Sequence, residues 1–367
     1  LREEPYDYVC CGEGPETILN LVENLKTGSN QFGSVPGLCY WNEGGICLNP
    51  NADNLEHLDR DIPGQAWDLL DMSLYRAHNW HCFHDLESRG SYASVQTSLG
   101  CPYRCQFCCI NAPFGGHGIR FWNADTIISQ IDELVTEYGI KNIKIPDEMF
   151  VLNERHVLGI CERLIDRDYN LNIWAYARVD TIREMMLEKL KAAGFNWLGM
   201  GIESASTYVR DGITKGNFDN NMIRSTVQTV RNHDIAVGAN YIFGLPDDTL
   251  DSMKETLDLA MELNTEWANF YCAMAYPGSP LYLQARENGW ELPSKYEGYS
   301  QHSYNTQNLP SVFLSSEEIL AFRDKAWKKY HTNSNYLNLI ENEFGPDAKE
   351  NILAMTKIQL KRQALGH

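Results

Sequence analysis

YASVQTSLGCPYRCQFCCINAPFGG, residues 92–116, runs from a short β-prone segment straight into three cysteines spaced C-x3-C-x2-C and then into a glycine pair. Thiolates are soft ligands suited to zinc or to iron–sulfur clusters. A structural zinc site closes with four protein ligands, but adjacent Cys108 and Cys109 are hard to place on one tetrahedral ion, and no C-x2-C partner pair follows. On a [4Fe–4S] cluster, three cysteines, Cys101, Cys105 and Cys108, leave one iron without a protein ligand and open to a substrate or cofactor. The alternative is a zinc knuckle completed by Cys109 or a distant histidine. Cys109 otherwise reads as a small buried thiol.

Outward from this loop, short β-rich runs alternate with longer amphipathic segments. After 92–98 comes a helix over 125–139, with apolar residues three and four apart. NIKI (142–145) then leads to a helix near 153–168, NIWAYA (172–177) to one near 181–193, and WLGMGI (197–202) to one near 219–233. AVGANYIF (236–243) leads to a helix near 249–263, and WANFYCAMAY (267–276) closes the series. Such alternation implies parallel strands joined by right-handed crossovers. Six steps rather than eight predict an α/β fold, a partial (βα)6 TIM-like barrel, whose chemistry gathers at the carboxyl ends of the strands. The residues there are Cys101, then Asp147 and Glu148, Arg178, Glu203 and Ser204, Gly244 to Pro246, and Pro277 with Gly278.

The flanks differ. Residues 6–25 read as a strand, a Gly-Glu-Gly turn and a helix, followed by a hairpin-like stretch and a linker containing DIPGQAWDLL (61–70). Beyond 282 comes an irregular polar stretch, then helical patterns from Ser315 to about Tyr330 and from Ala348 to Leu365, broken at Gly345-Pro346. With 31 lysines and arginines against 49 aspartates and glutamates, the net charge of −18 argues against a broad basic face for nucleic acid. Eleven cysteines, an odd number, with no signal peptide and no apolar run long enough to cross a bilayer, point to a reducing cytoplasm. The chain opens on Leu1 in mid-pattern, so sequence upstream of it is expected.

CPYRCQFC (101–108) after SVQTSLG resembles the cluster loop of radical S-adenosylmethionine (SAM) enzymes. DEMF (147–150), YARVD (176–180), GIESAS (201–206), YIFGLPDDT (241–249) and YPGSPLY (276–282) are similar to the strand-end motifs of that superfamily, over about residues 92–282. DYVCCGEGPETILNLVENL (7–25), VPGLCYWNEGGI (35–46) and DIPGQAWDLL (61–70) resemble the last strand, closing helix and linker of the cobalamin-binding domain that precedes the radical module in one subfamily. The resemblance therefore implies a Rossmann-like cobalamin-domain remnant plus linker over 1–70, a further linker over 71–91, the barrel over 92–282 and a helical C-terminal region over 283–367. The D-x-H-x-x-G motif that some members use to ligate cobalt is missing; the nearest string is ERHVLG (154–159), in a predicted helix.

It further implies that Cys101, Cys105 and Cys108 hold a [4Fe–4S] cluster whose open iron takes the methionine moiety of S-adenosylmethionine. Phe107 would pack near adenine. Glu203 would contact ribose or the amino group, with Ser204 beside it; a carboxylate paired with a lysine or arginine is the plainer alternative. Arg178 would clamp the cofactor carboxylate, against a structural ion pair. Asp147 and Glu148 could touch cofactor or substrate, and Gly244 and Pro246 would shape the adenine pocket through backbone, unless they form a plain turn. His117 reads as a loop residue, Tyr241 and Tyr276 as barrel lining, and Trp80, His81 and His84 as a buried linker plug or a substrate or corrin contact. The implied function is radical hydrogen abstraction from an unactivated carbon of a small-molecule or natural-product substrate, with methyl transfer from cobalamin as the commonest outcome in the subfamily and cyclisation or rearrangement as the alternative. An external low-potential electron donor of flavodoxin or ferredoxin type is implied too. A non-enzymatic iron–sulfur carrier would instead need a fourth protein ligand.

Overall fold

Six strands, all parallel, form one curled sheet in which 267–272, 236–243, 195–203, 172–178, 142–145 and 92–94 lie side by side in that order. The computed structural model describes residues 1–367 except Glu3, Asn217 and His367. The chain begins with β1 (Tyr8–Cys10), helix α1 (Pro15–Thr27), β2 (Leu38–Asn42), β3 (Gly45–Leu48) and the short α2 (Leu58–Asp61). The barrel follows: β4 (Tyr92–Ser94), the small pair β5 (Ser98–Leu99) and β6 (Arg120–Phe121), α3 (Ala124–Tyr138), β7 (Asn142–Ile145), α4 (Glu154–Arg167), β8 (Asn172–Arg178) and α5 (Glu184–Ala192). Next come β9 (Phe195–Glu203), a short α6 (Thr207–Gly212), α7 (Asn220–Arg231), β10 (Ala236–Phe243), α8 (Leu250–Leu263), β11 (Trp267–Cys272) and α9 (Pro280–Glu287). Helices α10 (Ser316–His331), α11 (Ser334–Phe344) and α12 (Pro346–Thr356) complete it.

The predicted six-step barrel is the architecture observed. Central strands such as β8 and β9 are buried on both faces, as parallel strands under helices must be. Helix ends are fixed by side chains: a Thr249–Ser252 capping box starts α8 and a Ser315–Glu318 box starts α10. At α3 the distant Asp59 takes Asn123 N, its amide and Thr126 Oγ1 at 2.9, 2.7 and 2.5 Å.

A half-closed sheet must hide its edge strand. Helix α10 covers β11, with Arg323 Nε donating to Phe270 O at 2.7 Å and Tyr330 Oη to Thr265 O at 2.7 Å. Gln301 mimics a further strand, accepting from Cys272 N at 3.0 Å and donating to Cys272 O at 2.9 Å. At the opposite end Trp80 fills the amino-terminal opening, its ring 5.0 Å from Trp174 and 5.1 Å from Trp197.

The structure corrects the C-terminal expectation twice. Residues 334–344 form α11, and the final helix spans Pro346–Thr356 instead of reaching Leu365. Arg362 is the cause of the early stop: fully buried, it binds Asp324 at 3.1 and 3.2 Å and donates to the carbonyls of Gln301 and Ser303, anchorage that a helical path would forfeit. The stretch after 282 is also not uniformly irregular, because Pro280 at N1 and Ser279 as cap set α9.

His81 and His331 are both buried. Burial pushes His81 down to about 3 and His331 to about 4, so both rings are neutral in the fold, while an unfolded histidine titrates near 6.5. A depressed folded value contributes stability that is present above pH 6.5 and is lost as pH falls towards 4. At pH 5 each ring is therefore expected to cost roughly 2 kcal/mol relative to neutral pH. Urea unfolding at pH 7.5 and 5.0 checks this: His331→Phe should lose less stability on acidification than the parent, and equal losses would count against it.

Candidate active site

The cysteine loop leaves the β5–β6 pair at the carboxyl end of the sheet and is held by backbone geometry before any ligand is considered. Gly100 adopts φ 89°, and a Cβ there would lie 2.5 Å from Gly118 O, so glycine is required. Asn111 grips Cys101 from both sides, accepting from its N–H at 3.1 Å and donating to its carbonyl at 2.8 Å. His117 Nδ1 lies 3.0 Å from Tyr103 O. Gln106 N donates to Ile213 O at 3.0 Å, and Thr214 Oγ1 to Arg104 O at 2.6 Å. The loop is thus tied to the segment after α6.

All 11 cysteines are free. Cys101 is buried; Cys105, Cys108 and Cys109 are half-buried. Burial pushes the Cys108 thiol up to about 11, and the neighbouring Cys105, Cys109 and Cys101 add to the upward shift. Cys101 is also raised, by burial first, with Cys105 and Glu148 adding to it. Among the described residues no three histidine, cysteine or acidic side chains converge on a point as a single metal ion needs. A multi-iron cluster is wider than an ion and requires no such convergence. Three closely spaced, partly buried thiols without a fourth protein ligand among the described residues match a cluster with one open iron better than a structural zinc site, which closes with four.

Arg178 stands at the end of β8, 4% exposed. Its Nη1 lies 3.6 Å from Cys105 Sγ and its guanidinium 3.9 Å above the Tyr103 ring. The bidentate clamp predicted for a cofactor carboxylate is occupied differently: Asp180 takes Nε and Nη2, both at 2.9 Å, and Nη2 also meets Lys215 O. The structural ion pair is the arrangement present, with one guanidinium nitrogen facing the thiol.

Glu203 ends β9 with φ 66° and meets Lys215 Nζ at 2.6 Å, both side chains buried. Lys215 also lies 5.8 Å above the Phe107 ring. Phe107 packs against the buried cluster of Val209, Ile213, Ile242, Leu245 and Ala273. Inward-facing Gly199 and Gly201 keep the middle of the sheet bare: a Cβ on Gly201 would collide with Glu203 and Lys215.

Asp147 is fully buried and faces the loop's root. It accepts from Thr97 N at 2.8 Å, Thr97 Oγ1 at 2.6 Å and Ser98 Oγ at 2.6 Å. Its carboxylate thus braces the strand-end segment from which the cysteine loop departs. Its neighbour Glu148 is half-buried, and burial raises its carboxyl to about 7. Ser204 is turned into the fold, its Oγ 3.2 Å from Thr256 Oγ1. Gly244 N and Leu245 N donate to Asp248 Oδ2 at 3.0 Å, a Cβ on Gly244 would lie 2.6 Å from Ile319 of α10, and Pro246 O accepts from Val312 N at 3.0 Å. Ser204, Gly244 and Pro246 therefore shape the wall from behind. The chain thus brings together Cys101, Cys105, Cys108, Arg178, Glu203 and Phe107, and adds Lys215, Tyr103 and Asn111, which carry no motif of their own.

The N-terminal unit docks beside this loop. Glu13 binds Arg120 at 2.6 and 3.0 Å and accepts from Leu55 N at 2.6 Å, Asn54 donates to Phe114 O at 2.7 Å, and a cavity of about 430 Å³ lies between the two parts.

Residues 95–260 match the family model described as the radical SAM superfamily. An uncharacterised methyltransferase of Pyrococcus horikoshii is 30% identical over 92% of this chain and 70% of its own length. An anaerobic magnesium-protoporphyrin IX monomethyl ester cyclase of Rubrivivax gelatinosus is 26% identical over 92% of this chain and 59% of its own. The solved cobalamin-dependent S-adenosylmethionine radical enzyme OxsB, with aqua-cobalamin and S-adenosylmethionine bound, superposes with a TM-score of 0.68 over 95% of this chain and 55% of that one, at 16% identity. The chain thus spans little more than half the length of the latter two, and no helix among its described residues is long and apolar enough to cross a membrane. Three thiols at the carboxyl end of a six-stranded parallel half-barrel, in the stretch that the family model covers, establish that this chain belongs to the radical SAM superfamily.

Proposed function

We propose that the chain is the catalytic part of a cobalamin-dependent radical enzyme that methylates an unactivated carbon of a small molecule. The observation that carries the proposal is the strand-end loop itself, with Cys105 beside Arg178 and with Glu203 and Lys215 across the mouth. When bound, a [4Fe–4S] cluster would supply the electron that cleaves S-adenosylmethionine to methionine and the 5′-deoxyadenosyl radical, and cobalamin would relay a methyl group given up by a second S-adenosylmethionine, which leaves as S-adenosylhomocysteine. Cys101, Cys105 and Cys108 would hold the first and the pocket beside Glu13 would face the second. Arg178 balances thiolate charge next to Cys105. The Glu203–Lys215 pair presents a fixed carboxylate and ammonium at the wall nearest Phe107. Trp80 packs edge-on against Trp174 and Trp197 towards the amino-terminal end of the strands.

The relative named as a methyltransferase favours methyl transfer; the relative named as a cyclase favours radical cyclisation as the second reading. Residues 1–70 would belong to a cobalamin-binding module. The environment would be the cytoplasm, with a flavodoxin- or ferredoxin-type protein delivering electrons.

The test is anaerobic. Protein reconstituted with iron, sulfide and cobalamin is given S-adenosylmethionine and a low-potential reductant. 5′-Deoxyadenosine and S-adenosylhomocysteine together are expected, alongside the visible spectrum of bound corrin. Deoxyadenosine alone would favour cyclisation, and neither nucleoside from a fully loaded cluster would refute the proposal.

A further inference from the structure

A cavity of about 1110 Å³ lies inside the half-barrel between β8, β11, α10 and the segment following α12. It exceeds the roughly 300–1,000 Å³ of ordinary small-molecule pockets. Tyr176 of β8 and Tyr271 of β11 are part of its lining. Tyr176 precedes Arg178 by two residues on β8, one pleat repeat of about 7 Å, and Arg178 touches Cys105. The cavity therefore runs from the C-terminal helices to within one pleat repeat of the residue that touches the cysteine loop.

Two features of its lining select a ligand. The walls are flat and aromatic: Trp80, Trp174, Trp267 and Trp327 all line it, and His78 lies parallel to Trp80 at 5.6 Å and 7°. Broad rings of this kind favour a planar apolar body. The outer rim is cationic. Arg323, Lys325, Lys328 and Lys357 line it against one acid, Asp324, and that carboxylate is already shared by Arg323 at 2.7 Å and Arg362 at 3.1 Å. Lys325, Lys328 and Lys357 take part in no ion pair among the described residues. In a chain of net charge −18 this rim reverses the local sign, and a low-dielectric cavity focuses such a field on an incoming ion.

We infer that the substrate is a large planar, conjugated molecule carrying at least one anionic group, its ring body between the tryptophans and its anion against the lysines of α10 and the segment after α12. The inference rests on the proposed radical centre, since it names the substrate class for that centre. A carboxylate and a phosphate monoester offer the same chemistry to the rim.

Energy transfer from tryptophan to a bound pyrene provides the test on the full chain. The probes are 1-pyrenebutyrate, the matching butyl phosphate and neutral 1-pyrenebutanol. Both anions are expected to bind about tenfold more tightly than the alcohol, with the advantage shrinking as salt is added; the tighter of the two identifies the anion type. The K325Q/K328Q/K357Q triple variant should bring all three probes to within about twofold of one another, and Trp327→Leu should weaken all three. Equal affinity of the neutral and anionic probes in the parent protein, or an undiminished preference in the triple variant, would overturn the inference. An anion preference in the parent that does not change with salt would overturn it as well, without recourse to any variant. Formation of 5′-deoxyadenosine by reconstituted parent protein is recorded separately. Anion-selective binding without cleavage would refute the radical centre and leave the ligand class standing; cleavage without anion selectivity would do the reverse.

Discussion

Cys108→Ala protein is expected to load no intact iron–sulfur cluster and to form no measurable 5′-deoxyadenosine, and Cys101→Ala and Cys105→Ala proteins to behave alike. Each thiol sits in a loop whose backbone is fixed independently of metal by Asn111, Gly100 and the Asp147 anchor, so its loss is not repaired by local rearrangement. Burial with three neighbouring thiols holds Cys108 up at about 11, which leaves it neutral at physiological pH until bound iron stabilises the thiolate. Asn111→Ala gives the comparison. Asn111 orients Cys101 without ligating, and removing such a partner typically costs about 10–100-fold, well short of abolition. Cys109→Ala should keep its full iron. Iron and sulfide per chain, with nucleoside product by mass spectrometry, decide the matter: a full cluster and cleavage activity in any of the three alanine proteins would remove that residue from the ligand set.

The barrel was legible because its signals are local. NIKI, NIWAYA and AVGANYIF are apolar runs bounded by turns, each followed by a helix-period segment, and every one of them forms the expected strand. The thiols were legible because their spacing is itself the chemistry. Partnerships across the fold were not. Lys215 lies in a loop without periodicity, 12 positions from Glu203, and only the approach of that loop to the end of β9 pairs them. Asp147 stands in a motif that suggests the mouth, yet backbone geometry turns it to Thr97 and Ser98. Helix α11 carries little signal in the sequence because SNYLNLIENEF is largely polar, and it is secured by Tyr336 and Ile340 packing into the core. Arg362 shows the converse failure: the helix-period pattern continues through it, but its buried contacts with Asp324 and two carbonyls prevail. Propensity is a weak guide wherever a charge finds a buried partner.

Lys215→Met is the substitution expected to cost most in stability. Lys215 and Glu203 are 6% and 5% exposed and 2.6 Å apart, and removing one member of such a pair leaves an uncompensated charge in a low-dielectric site, a loss of about 3–5 kcal/mol. The Glu203 carboxylate lies over the bare face of Gly201 and is buried there, so it has no water to replace the lost ammonium. The same loop carries the Lys215 carbonyl that Arg178 binds and the ammonium over Phe107, so a shift of the loop on losing the pair would disturb the guanidinium beside Cys105 as well. A second change separates charge from shape. In K215M/E203Q protein no charge remains unpaired, and most of the lost stability should return. Urea unfolding of the parent, both single variants and the double variant closes the cycle. A Lys215→Met loss below about 1 kcal/mol, the value typical of a solvent-exposed pair, would show that water reaches Glu203. If the double variant recovers stability but fails to cleave S-adenosylmethionine, the pair serves the radical centre rather than the fold, because its neutral replacement keeps the wall and removes only the charges that face the mouth.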